Sequence, residues 1–111
     1  MQIYEKDMIY TKIPKSYKVG GQLMEVREVE RCEDNKLGRC SLAGGWIEIA
    51  SIFNKDQKCC ESGKVNTFYH ELTHAILDTM GEDDLSNNEK FVSCFSSFLT
   101  EAMEKAYFEE E

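Results

Sequence analysis

The chain lacks any long hydrophobic run: no apolar stretch approaches the roughly 18 residues of a membrane-spanning helix, which argues against a membrane partner. Positive charge is also scarce, 13 Lys and Arg against 21 Asp and Glu, for a net charge of −8. Phosphate binding needs clustered basic residues, so no nucleic-acid partner is expected. The opening segment, Met1-Gln2-Ile3-Tyr4-Glu5-Lys6-Asp7, has no basic region followed by an apolar one. It therefore reads as no secretory signal, and the expectation is a cytoplasmic protein. Internal repeats, linkers and low-complexity segments are missing too. The five cysteines (Cys32, Cys40, Cys59, Cys60 and Cys94) follow no common disulfide framework or zinc-finger spacing. In a reducing compartment they are thiols, some simply small hydrophobes. The alternative is a second, structural metal site or a disulfide clip built from Cys32, Cys40 and the Cys59-Cys60 pair.

What is present fits one soluble domain spanning residues 1–111. Hydrophobic residues make up 41% and charged residues 31% of the chain, a globular rather than a disordered balance. Much of the acidity lies in Glu82-Asp83-Asp84 and Glu109-Glu110-Glu111, read as a solvated turn and a frayed end.

The first half reads as β structure. Tyr17-Lys18-Val19 and Gln22 to Val29 flank Gly20-Gly21, a two-residue hairpin turn signal. Glu33 to Arg39 is rich in turn formers and reads as a loop, and Gly45 to Ala50 as a short strand with Ile47 and Ile49 on one face. Ser51 to Ser62 is a polar connector with room for a helical turn. The second half reads as two helices. The first runs from about Lys64 to Met80 and stops at Gly81. The second runs from about Asn87 to Phe108, with an apolar stripe of Phe91, Phe95, Phe98, Ala102 and Ala106, widened by Val92, Leu99 and Met103. The expected fold class is α+β: a small twisted antiparallel sheet followed by two packed helices.

Both histidines of the chain fall in His70-Glu71-Leu72-Thr73-His74, an H-E-x-x-H motif. On a helix, residues four apart share a face with Cβ atoms about 5–6 Å apart. Two imidazoles so placed can converge on one Zn²⁺, and Glu71 is then held beside the metal as a base. Thr67, Phe68, Tyr69, Leu72, Thr73, Ala75, Ile76 and Leu77 around the motif are uncharged, as suits a helix buried everywhere but at the metal. A catalytic zinc site needs a third protein ligand and an open position. Glu89, 15 residues after His74, is the best candidate if the helices pack antiparallel across the turn at Gly81–Ser86. Its other reading is structural, because Ser86-x-x-Glu89 matches a capping box. Asp78 is a weaker candidate ligand.

The chemistry follows from the metal: zinc lowers the pKa of bound water toward about 7 and polarises a scissile carbonyl. Glu71 takes the proton during attack and returns it to the leaving amine. The strand around Trp46–Ala50 offers edge pairing to an extended peptide or protein substrate. No residue stands out as the oxyanion stabiliser, although Tyr69 is adjacent in sequence.

Val19 to Val26, Gly38-Arg39-Cys40, Ile47-Glu48-Ile49, Thr67 to Ile76 and Asn88-Glu89, in that order, resemble the small phage-type zinc peptidases. These are similar to the ImmA/IrrE-like metallopeptidases and the minimal gluzincins. The similarity covers roughly residues 16 to 107, and only the helix motif is specific. It implies a zincin-like α+β fold, zinc held by His70, His74 and Glu89, Glu71 as the base, and a bacterial or phage-encoded origin. The high cysteine content and the lack of a substrate-recognition domain depart from that pattern. Two other readings compete. One is a peptide-deformylase-like hydrolase taking Cys40, in Gly38-Arg39-Cys40-Ser41-Leu42, as third ligand. The other is a non-catalytic binding or regulatory module that keeps zinc as a fold staple.

Overall fold

The computed structural model describes residues 13–106. Four strands form the main sheet: β1 (Ser16–Val19), β2 (Gln22–Val29), β3 (Gly38–Ser41) and β4 (Trp46–Ala50). A small hairpin of β5 (Ile52–Phe53) and β6 (Gln57–Lys58) follows, then helices α1 (Glu61–Met80), α2 (Asp83–Ser86) and α3 (Glu89–Lys105). The class is α+β, as expected.

The sheet corrects one expectation, because it is mixed rather than antiparallel. Its order is β1-β2-β4-β3. β1/β2 and β3/β4 pair antiparallel, while β2 and β4 run parallel, with Val26 opposite Ile47. The cause is the segment between Val29 and Gly38, which contains a 3₁₀ turn at Glu33–Asn35 and carries the chain across the sheet. β3 therefore enters beyond the place that β4 takes, and the return through Leu42–Gly45 slots β4 into the middle. The central position suits its sequence, since Ile47 and Ile49 are both fully buried. With Met24, Phe68 and Ala75 they form the core between the sheet and α1. Burying each large side chain is worth about 1.5–3 kcal/mol.

Local signals set the element ends. Gly20 (φ 57) and Gly21 (φ 84) both adopt positive φ, which the tight β1–β2 turn requires. α1 ends at Gly81 in the left-handed region, with Gly81 N–H donating to the Asp78 carbonyl and Glu82 N–H to that of Leu77, a Schellman closure. Two segments differ from their sequence reading. Gly38–Arg39 begins a strand instead of closing a loop, and the Ser51–Ser62 connector holds the β5–β6 hairpin. Glu82–Asp84 is exposed, as expected, although Asp83 and Asp84 begin the short helix α2 rather than lying in a turn, and Glu109–Glu111 lies outside the described residues.

The rotation of α3 is a further correction. Its buried residues are Val92, Ser96 and Thr100, whereas Phe95 and Phe98 are 48% and 71% exposed. Phe91 and Phe95 stack on each other, ring centroids 5.9 Å apart, along the outer side. Among the described residues no helix is long and apolar enough to cross a membrane.

The hairpin is seated on the end of α1: a Cβ built on Gly20 would lie 2.5 Å from Thr79 Cγ2. Gly20→Ala therefore meets both positive-φ strain and a clash, and is expected to cost about 2 kcal/mol. Urea denaturation should show the loss, with partial recovery in Gly20→Ala/Thr79→Ser. An unchanged midpoint would mean that the turn is not seated on the helix.

Candidate metal centre

α1 carries both histidines one helical turn apart, their ring centroids 5.1 Å from each other. α3 returns antiparallel after the short α2, and its first residue is Glu89. That carboxylate spans the pair: Glu89 Oε1 is 3.2 Å from His70 Nε2, and Oε2 is 3.1 Å from His74 Nε2. One ligand atom from each of the three residues lies within 4.8 Å of the others. This is the group of three that the sequence singles out.

The capping alternative for Glu89 is not what forms. The cap of α3 is Asn88, whose Oδ1 accepts from the Phe91 N–H at 3.1 Å. Ser86 instead ends α2, is buried, and its hydroxyl lies 3.1 Å from His74 Nδ1. A partner on Nδ1 leaves Nε2 facing Glu89, the arrangement by which outer hydroxyls or carbonyls orient a metal-binding imidazole. Ser86 reads from the sequence only as the start of a capping box, and its place just before the second helix is the one local signal for its position beside His74.

Glu71 is buried, and burial first, then the neighbouring Glu89 charge, pushes its carboxyl up to about 7; Lys36 pulls the other way. His70 is held below the usual imidazole range, chiefly by burial and secondarily by His74, with Glu89 opposing. Burial prevails there, so near neutral pH the ring is uncharged, the form in which imidazole binds metals.

β3 presses directly on α1 above these groups. A Cβ on Gly38 would fall 2.5 Å from Thr67 Cγ2 and 3.1 Å from Glu71 Cγ, so only glycine lets the strand approach so closely. Between β3 and the helices runs an open groove of about 1170 Å³, lined by His70, Glu71, His74 and Glu89, and by Lys36, Arg39 and Trp46 on the sheet side. Arg39 is committed to Glu33 and Glu48, at 3.0 and 3.1 Å, and lies over the Trp46 ring.

Other sequence candidates sit elsewhere. Asp78 lines the groove but is not in the His–His–Glu group, and the same is true of Cys40. Tyr69 is not among the groove-lining residues; its ring packs edge-on against Phe68 at 5.1 Å beside the core. The cysteines are free thiols, and none belongs to a group of three donors among the described residues. The strand offered for peptide pairing is also corrected: Trp46–Ala50 is hydrogen-bonded on both sides, by β2 and β3. The edge facing the groove belongs to β3.

Burial, with Glu71 and Asp78 nearby, pushes the Cys40 thiol up to about 12, whereas hydrogen bonds from Ser62 and Gly63 draw exposed Cys60 below its usual value. Alkylation needs the thiolate, whose fraction grows as pH rises through the pKa. Mass mapping after iodoacetamide should therefore find Cys60 modified at pH 8 and Cys40 untouched until the protein unfolds. Equal rates at the two positions would contradict the packing of β3 on α1. Compared with protein-family models, with curated proteins and with solved structures, the chain finds no match.

Proposed function

We propose that the protein is a zincin-like, zinc-dependent metallopeptidase in which His70, His74 and Glu89 hold the metal and Glu71 is the general base. One observation carries this reading: donors from two separate helices converge, with 3.1 and 3.2 Å between carboxylate oxygens and ring nitrogens. Ligand atoms of a tetrahedral zinc, bonded at roughly 2.0–2.1 Å, stand about 3.3 Å from one another, close to these two separations, each of which uses a different oxygen of Glu89. The partly exposed imidazoles and the open groove leave room for a substrate. Zinc, when bound, supplies a Lewis acid that acidifies water and polarises a carbonyl oxygen.

The protein's own residues do the rest. Glu71, with its carboxyl near 7, can accept a proton from attacking water at neutral pH and return it to the departing amine. Ser86 fixes the ring of His74 so that Nε2 faces the metal position. The outer edge of β3 has no strand partner among the described residues, and Gly38, Arg39 and Cys40 of that strand line the groove. An extended peptide can pair there and lie with a carbonyl beside the cluster.

Elemental analysis after dialysis against zinc should find one ion per chain, lost in His74→Ala and Glu89→Ala. Ser86→Ala should weaken zinc affinity about 10- to 100-fold while retaining the ligands. Glu71→Gln should keep the zinc and lower peptide cleavage by about 10²–10⁴-fold. Zinc loss in Cys40→Ala but not in Glu89→Ala would sink this ligand set in favour of the deformylase-like one. Zinc retained with no cleavage by the unaltered protein would leave the non-catalytic module.

A further inference from the structure

The two walls of the groove differ in chemistry. Its apolar lining, Leu37, Cys40 and Trp46, lies entirely on the sheet side. On the helix side, beyond the cluster, the lining groups include Asn66 and Thr67 of α1 and Ser93, Ser96 and Ser97 of α3, with no apolar side chain among them. We propose that this wall selects the substrate, admitting a polypeptide segment whose α3-facing side chains are small or uncharged hydrogen-bonding groups and rejecting large apolar ones. This deepens, and rests on, the peptidase reading above.

The placement follows from helical geometry. Glu89, Ser93 and Ser97 are spaced four residues apart, so the two serines follow the metal-facing carboxylate at steps of about 6 Å along α3. An extended chain repeats the direction of its side chains every two residues, about 6.6–6.8 Å. A peptide threading the groove past α3 can thus set alternate side chains opposite Ser93 and Ser97, which are exposed and ready to bond. The deeper layer is already satisfied. Ser96 Oγ donates to the Ser93 carbonyl, and Thr100 Oγ1 donates to the Ser96 carbonyl at 2.6 Å and reaches Asn66 Oδ1 at 3.4 Å. That layer is buried and cannot swing aside to open an apolar recess. A leucine or phenylalanine pressed on this wall would strip water from the two serine hydroxyls without replacing it. Each hydroxyl left unpaired costs on the order of tenfold in affinity. A serine, threonine or asparagine restores the bond, and a glycine leaves the water in place.

A random peptide library retained on immobilised, zinc-loaded Glu71→Gln protein, and sequenced by mass spectrometry, tests this without requiring turnover. A chelator-treated column run in parallel identifies retention that depends on the metal. Ser, Thr, Asn, Gln and Gly should be enriched at alternate positions about tenfold over Leu, Ile and Phe. The double substitution Ser93→Leu/Ser97→Leu in the same Glu71→Gln background, at two exposed sites, should reverse that order. Apolar enrichment on the parent column, an order unmoved by the leucines, or no sequence-dependent retention would overturn the proposal. Cleavage of the same library by the unaltered protein separates the two readings. Polar retention without any cleavage removes the peptidase and leaves the selective wall, and cleavage at apolar sites does the reverse.

Discussion

The reach of one carboxylate across two helices constrains most of this structure. Glu89 can meet His70 and His74 only if α3 comes back antiparallel and turns that end toward α1. The Schellman closure at Gly81 and the single turn of α2 make the return short enough. Once Glu89 is fixed, helical periodicity fixes the rest of the face: Val92, Ser96 and Thr100 follow it inward. The buried face of α3 is thus Val92 and two small hydroxyl side chains, and of their hydrogen bonds only Thr100 Oγ1 to Asn66 Oδ1, at 3.4 Å, crosses to α1.

The electrostatics of the centre follow from the same closure. Two carboxylates, Glu71 and Glu89, are drawn together in a protein that is already strongly acidic, and neither has an ion-pairing Lys or Arg among the described residues. Glu71 is buried whereas the Glu89 side chain is 66% exposed, so the desolvation cost falls on Glu71, which a proton or a nearby cation relieves. Holding Glu71 partly protonated near neutral pH is one way to relieve it, and a divalent ion at the His–His–Glu position would be the other.

The legible parts of the sequence were those with local causes. Gly20-Gly21 announced its turn because few other residues tolerate two consecutive positive φ angles. Gly81 announced the end of α1 for the same reason, and His70 and His74 declared their shared face through helical spacing. The misread parts had distant causes. The aromatic stripe Phe91-Phe95-Phe98 gave the strongest periodic signal in α3, yet Phe95 and Phe98 lie outward because the face that packs inward is Val92, Ser96 and Thr100. Gly38 looked like a loop glycine, although its job is to let an edge strand lie on Thr67 and Glu71. The parallel β2–β4 pairing depends on how an irregular segment crosses the sheet, which no periodicity records.

The surroundings of Trp46 have an optical consequence. It is the single tryptophan of the chain, it lines the groove, and guanidiniums from the strands on either side of β4, Arg27 and Arg39, lie 5.6 and 5.1 Å from its ring centroid. Indole emission depends on the polarity and charge around the ring. All of the protein's tryptophan fluorescence therefore originates at the sheet-side wall of the groove, a built-in reporter on whatever enters there.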